Sequence, residues 1–133
     1  VEQFMRTDLF TVQPEDPVEI LPNLMIWERL RYVAVEDREH QLLGLITYRE
    51  ILTLLTTAAN KRKKSVGEIM IPLENLVTVS TDTATGEAIQ LMQRFQLGCL
   101  PVVRAGQLLG LVTETEFVSV AGRLFGSEPD SAP

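Results

Sequence analysis

Apolar and polar positions along this chain keep two different rhythms, and the two alternate. Phe10-Thr11-Val12 is short and β-branched, and Pro14-Glu15-Asp16-Pro17 follows it with turn chemistry. Ile20, Leu21, Leu24, Met25 and Trp27 then fall at helical spacing, which predicts a helix reaching about Leu30. Asp16 is its expected N-cap, with Pro17 at the first helical position and Glu19 completing a capping box. Pro22 lies inside that span and removes one backbone donor, so a local bend or a late start is expected. The period then shortens to two. Tyr32–Val35 and Leu42–Ile46 read as the strands of a hairpin around the polar turn Glu36-Asp37-Arg38-Glu39-His40, and Thr47 opens a second helix reaching about Ala58.

The second half follows suit. It predicts a short helix over Ser65–Met70, a strand over Leu76–Val79, and a helix from about Ala84 to Gln96 carrying Ala88, Ile89, Leu91, Met92 and Phe95. Strands Leu100–Val103 and Leu108–Val112 flank the tight turn Arg104-Ala105-Gly106, and a last helix runs from Thr113 to about Leu124. Residues 61–64, Lys61-Arg62-Lys63-Lys64, form a basic linker, and 126–133 is a polar tail with no means of building a core.

The two halves share wording as well as rhythm. Gly44-Leu45-Ile46-Thr47-Tyr48-Arg49-Glu50 returns as Gly110-Leu111-Val112-Thr113-Glu114-Thr115-Glu116, 66 positions on (110 − 44). Thr11-Val12 returns as Thr78-Val79, and Leu24-Met25 as Leu91-Met92, 67 positions on (78 − 11 and 91 − 24). Leu30–Val35 likewise answers to Leu97–Val102. Self-similarity at a fixed period means one supersecondary unit used twice. The expected fold is α+β, with two β-α-β-β-α repeats over 1–60 and 65–125 packed through their sheets with pseudo-twofold symmetry. Each half, near 60 residues, is marginal alone, so the halves are expected to fold as a pair.

Composition narrows the function. The chain has 133 residues, 45% hydrophobic and 23% charged, which is ordinary globular composition. A net charge of −6, with four of twelve basic residues in the linker run, leaves no basic face for nucleic acid. The linker charge itself reads as solvation, with an accessory phosphate clamp as the other reading. No apolar run approaches the ~18 residues of a membrane span. The opening Val1-Glu2-Gln3-Phe4 lacks both a signal-peptide pattern and Met, so a segment of a longer cytoplasmic protein is expected. One cysteine, Cys99, excludes an internal disulfide and suits a reducing compartment; its apolar surroundings imply a buried, inert thiol.

Catalytic groupings are not found. The single imidazole, His40, sits in a charged turn with no partner placed by sequence, and reads as a solvated loop histidine. No cluster has metal-ligand spacing, and no glycine-rich phosphate fingerprint occurs. No catalytic residue and no metal are expected. What remains is the repeated junction Thr47-x-x-Glu50 and Thr113-x-x-Glu116, for which two readings stand open. One is a capping box, in which Thr caps the helix and Glu reaches back to the Thr amide. The other is a nucleotide cradle built from free helix amides, a hydroxyl and a carboxylate.

The doubled order of elements, the Gly-Leu-Ile-Thr-x-x-Glu entry to a helix, the Ser65-Val66-Gly67-Glu68-Ile69-Met70 lead-in, Phe4-Met5 and Leu100-Pro101-Val102-Val103 together resemble a tandem pair of CBS (cystathionine-β-synthase) domains, a Bateman module. The resemblance covers residues ~2–125. It implies two clefts between the repeats that take adenosine-containing ligands such as AMP, ADP, ATP or S-adenosylmethionine and report them to an attached catalytic or transport domain, with no required cofactor. It implies Thr47 and Thr113 at phosphate, and Glu50 and Glu116 at ribose. The base would lie against Thr11, Val12, Tyr32, Val33 and Ala34 in one copy, and against Thr78, Val79, Cys99, Leu100 and Pro101 in the other. Arg49 is placed to help a phosphate. Both ribose positions carry Glu, one methylene longer than the family's Asp, and Ala34 stands where the family usually has Pro.

The junction helices carry surplus apolar surface. Ile51, Leu52, Leu54 and Leu55 span a wide arc, as do Phe117, Val118, Val120, Ala121, Leu124 and Phe125. Such surplus marks an interface, and a twofold homodimer built on these helices is expected. A ligand-free dimerisation module is the alternative function.

Overall fold

The computed structural model describes residues 1–56 and 64–125. The expected helix end at Ala58, most of the basic linker and the polar tail lie outside the described residues. By contacts the chain forms two compact units. One contains Asp8–Val77 together with Ala105–Leu108; the other contains Val1–Thr7, Thr78–Arg104 and the chain from Leu109 onward.

The first unit is a four-stranded sheet in the order β1-β2-β3-β4. β1 (Thr11–Val12) pairs parallel with β2 (Tyr32–Glu36), Thr11 opposite Ala34 and Val12 opposite Val35. β2 pairs antiparallel with β3 (Leu42–Thr47), Tyr32 opposite Thr47 and Ala34 opposite Leu45, with a bulge at Val35/Glu36. β4 (Ile71–Pro72), too short to be seen in the sequence pattern, adds to the far edge opposite Leu45 and Gly44. One face of this sheet carries the core: Val12, Leu21, Met25, Val33, Val35, Ile46 and Val66 are buried together. Strand alternation therefore turns Thr11, Tyr32, Ala34 and Thr47 to the opposite face.

The first helix, α1 (Ile20–Trp27), starts later and ends earlier than its apolar spacing implied. Pro22 is the reason for the start. It occupies the first turn, where an amide has no acceptor within the helix and the missing N–H costs nothing. Glu19 is the N-cap, without a side-chain bond. Asp16 is not a cap; its carboxylate accepts from the Gln13 amide at 2.9 Å and so closes the preceding turn. At the other end Arg29 turns left-handed (φ 56°) and the Leu30 amide reaches back to the Met25 carbonyl at 2.8 Å. The second copy repeats this stop at Gln96 (φ 55°), where the Leu97 amide meets the Met92 carbonyl at 2.9 Å.

α2 (Tyr48–Leu55) follows β3 directly, and α3 (Val66–Ile69) is capped by a Ser65/Glu68 box. A short 3-10 turn (Leu73–Asn75) ends the first unit's last stretch. In the second unit α4 (Thr85–Phe95) precedes a hairpin of β5 (Cys99–Arg104) and β6 (Gln107–Thr113), and α5 (Glu114–Phe125) closes the chain. The hairpin turn places both Ala105 (φ 52°) and Gly106 (φ 83°) at positive φ, as two-residue hairpin turns demand. Its tip belongs to the first unit, where the Leu42 amide donates to Gly106 O at 3.0 Å and the Leu108 amide to His40 O at 2.9 Å.

The expected strand Leu76–Val79 is reduced to one bridge, Val79 to Val102. The Val79 amide donates to Pro101 O and the Val103 amide to Val79 O, each at 2.9 Å. The next rung would need an N–H from residue 101, and proline has none. In the first copy Ala34 stands there, and β1 keeps two rungs.

Glycine decides one further contact in each copy. An added Cβ at Gly44 would meet Ile71 O and Met70 Sδ, each at 2.6 Å; at Gly110 it would meet Arg6 O at 2.6 Å and Met5 Sδ at 2.9 Å. Each lead-in, Met5-Arg6 or Met70-Ile71, thus crosses the glycine of a repeated strand at a distance no side chain allows. Gly44→Ala and Gly110→Ala should each destabilise by about 1–3 kcal/mol, read as a lower denaturant midpoint; unchanged midpoints would show that the lead-ins shift freely.

Candidate functional site

The two strand-to-helix junctions gather the candidate residues, each within its own unit. In the first copy the Thr47 amide donates to Glu50 Oε1 at 2.5 Å and the Arg49 amide donates to Thr47 Oγ1 at 3.1 Å, a complete capping box. In the second, the Thr113 amide and the Thr113 hydroxyl both donate to Glu116 Oε1, each at 2.7 Å. The capping reading thus holds in full at Thr47. At Thr113 only its carboxylate half is seen, the hydroxyl having turned to the carboxylate.

The bonds entering the helices are equivalent: the Tyr48 amide donates to Arg31 O at 3.1 Å, and the Glu114 amide to Gly98 O at 3.2 Å. Around the first junction, Thr11, Tyr32, Ala34 and Thr47 share one sheet face, and α2 brings Arg49 and Glu50 to its edge. Val12 and Val33 do not join them. Their side chains are in the core on the other face, so only their backbone can line a site. In the second copy Val79, Cys99, Leu100 and Pro101 are all buried, whereas Thr78, Thr113 and Glu116 are half-buried. Burial pushes the Cys99 thiol far above its ordinary range, and the nearby Glu116 carboxylate adds to the rise.

Two neighbours of the candidate residues were not legible from sequence. The Thr11 hydroxyl donates to Glu36 Oε2 at 2.8 Å, and His40 Nδ1 lies 3.3 Å from the same oxygen. Glu36, read as the start of a solvated turn, is therefore a neighbour of the first-copy face; its place two residues beyond Ala34 on the strand was the available signal. Arg31 is the second. Its guanidinium sits 6.0 Å from the centre of the Tyr48 ring, at the first turn of α2. Among the described residues no three His, Cys, Asp or Glu side chains are grouped to hold a metal ion, and no helix is long and apolar enough to cross a membrane.

α2 and α5 contribute no fully buried residue. Leu52 and Leu55 on the one, and Val118, Leu124 and Phe125 on the other, are exposed, while Phe117 packs edge-on against Phe4 at 5.5 Å.

A model of the CBS domain matches residues 1–57 and again residues 66–123, and the chain belongs to the CBS domain family. Among solved structures it is similar to AcuB of Vibrio cholerae (TM-score 0.86, 25% identity, 97% of this chain and 96% of that one). It is also similar to CBSX2, a CBS-pair protein of Arabidopsis thaliana, in complex with AMP (TM-score 0.82, 27% identity, 92% and 96%). An inosine-5'-monophosphate dehydrogenase of Bifidobacterium longum is 32% identical over 118 residues, 88% of this chain and 21% of that enzyme. Another, from Thermoplasma acidophilum, is 25% identical over 119 residues, and the chain spans 23% of its length.

Two outcomes follow from the junction chemistry. Glu50→Ala and Glu116→Ala should each cost about 1 kcal/mol through loss of the cap, measured by chemical denaturation; no change would mean the amides find other acceptors. The Cys99 thiol should resist a disulfide reagent in the folded chain at pH 8 and react fully on unfolding. Because its folded pKa is raised, its neutral form contributes stability below the ordinary thiol value of 9.0, and this is lost progressively above that pH. Prompt labelling of the native chain would contradict the burial.

Proposed function

We propose that this chain is a non-catalytic, cytoplasmic regulatory module, with repeats over 1–60 and 65–125 joined by the basic run. Its junctions bind an adenosine-containing ligand of the AMP, ADP, ATP or S-adenosylmethionine class. The observation that carries this reading is the first-copy face, where Thr11, Tyr32, Ala34 and Thr47 lie together with Arg49 and Glu50 at its edge. Those residue types suit a nucleoside: the half-buried Tyr32 ring for the base, with Ala34 buried behind it, a carboxylate for ribose hydroxyls, and a hydroxyl and a guanidinium for phosphate. Support also comes from the AMP complex of CBSX2, 27% identical and alike over 92% of this chain. Thr78, Cys99, Pro101, Thr113 and Glu116 are the matching positions of the second copy, where Val79 and Leu100, like Val12 and Val33, have buried side chains and could contribute only backbone.

Sensing requires a difference in affinity. A ligand transmits a signal only if it binds one conformation of the module better than another. The receiver is a catalytic or transport domain in the same or a partner chain, a reading supported by dehydrogenases in which the matched segment is about a fifth of the length. The exposed apolar faces of α2 and α5 support a homodimer. A ligand-free dimerisation module is the second reading, favoured by one observation: Glu50 and Glu116 already have a structural task, each accepting from its own Thr amide at the start of its helix.

A thermal-shift series with AMP, ADP, ATP and S-adenosylmethionine separates the two. A ligand at a hundred times its dissociation constant should add about 2.7 kcal/mol of stability; no shift with any of the four would favour the ligand-free module. Sedimentation at tens of micromolar should give a dimer, and a monomer would remove the interface from the account.

A further inference from the structure

The two junctions share a backbone and differ in charge. The matched amide bonds into each helix align Arg31 and Tyr48 of the first copy with Gly98 and Glu114 of the second, and Arg49 with Thr115. At the first junction, two guanidiniums accompany the carboxylate of Glu50, and a further carboxylate at this face, Glu36, already accepts from the Thr11 hydroxyl. Arg31 lies over the Tyr48 ring and Arg49 is exposed in the same helical turn; among the described residues neither is ion-paired. At the second junction, the carboxylates of Glu114 and Glu116 stand with no cation at the matched positions.

The hydroxyls differ in the same sense. Thr47 Oγ1 accepts from the Arg49 amide, which leaves its proton free for an incoming anion. Thr113 has committed its proton to Glu116. One junction offers a hydroxyl donor and two cations, while the other offers carboxylate oxygens.

Resting on the adenosine-ligand reading above, we propose that the first copy alone takes a phosphate-bearing adenosine ligand, and that the second copy excludes it by charge. A phosphate monoester near neutral pH carries between one and two negative charges. Guanidinium donors meet it with charge-assisted bonds, and two carboxylates in the first turn of α5 repel it. Arg31 and Arg49 are then the residues that set this chain's preference for a nucleotide over a nucleoside, and Glu114 the one that closes the second copy to it.

Calorimetric titration of the whole chain with AMP and with adenosine tests this. AMP should bind with one equivalent per chain. The Arg31→Ala/Arg49→Ala variant should weaken AMP about tenfold or more, as loss of charge-assisted bonds does, while changing adenosine affinity less than about twofold. Arg49→Lys, which keeps the charge, should recover part of the AMP affinity, and an unchanged circular dichroism spectrum confirms folding. Two AMP equivalents of like affinity, or a double variant that weakens both ligands equally or neither, would overturn the charge assignment and leave the adenosine reading standing. Adenosine binding without AMP binding would do the same. Failure of both ligands to bind would overturn both.

Discussion

A backbone amide that leaves a buried strand must find an acceptor, and at both junctions of this chain a glutamate three residues ahead provides it. The Thr47 amide is taken by Glu50 and the Thr113 amide by Glu116. Leaving such an amide unpaired would cost about 1–3 kcal/mol, so the bond fixes where each helix begins. That start sets the Thr side chain at the strand end and, in the first copy, opposite Tyr32. The carboxylate proposed to meet ribose is thus the one already holding the helix. A ligand that recruits its second oxygen would share the carboxylate with the cap, which couples the proposed site to the first turn of the helix.

The lead-ins impose the second constraint. Met5-Arg6 passes over Gly110 and Met70-Ile71 over Gly44, at separations that exclude a Cβ. The glycine beginning each Gly-Leu-Ile/Val-Thr phrase and the threonine ending it therefore have different tasks on one short strand. Gly admits a crossing backbone, and Thr begins a helix. Their fixed spacing is why the phrase recurs as a unit, although most side chains around it have changed.

Much of this was legible in the chain itself. The repeat, both hairpins, the Thr-x-x-Glu entries and the inert Cys99 follow from patterns local enough to read directly. What was not legible depends on partners distant in sequence. The strand expected over Leu76–Val79 failed because its neighbour presents Pro101, a fact about pairing rather than about the segment itself. β4 has two residues and no period to detect. Asp16 has the right chemistry for a cap, yet Pro22 sits comfortably only if the helix starts later, and Asp16 then closes the turn instead. Glu36 and Arg31 come beside the first-copy candidate residues only through the register of β1 on β2 and the approach of Tyr48.

We propose that adenosine ligands bind at the strand-to-helix junctions. Backbone amide chemical shifts of the isotope-labelled chain, followed by NMR during titration with AMP, test it most directly. Saturable shifts at Thr47, Arg49 and Glu50, with Thr11 and Ala34 moving alongside them, are expected. A spectrum unchanged at these amides under saturating AMP, or shifts confined to residues elsewhere, would contradict it.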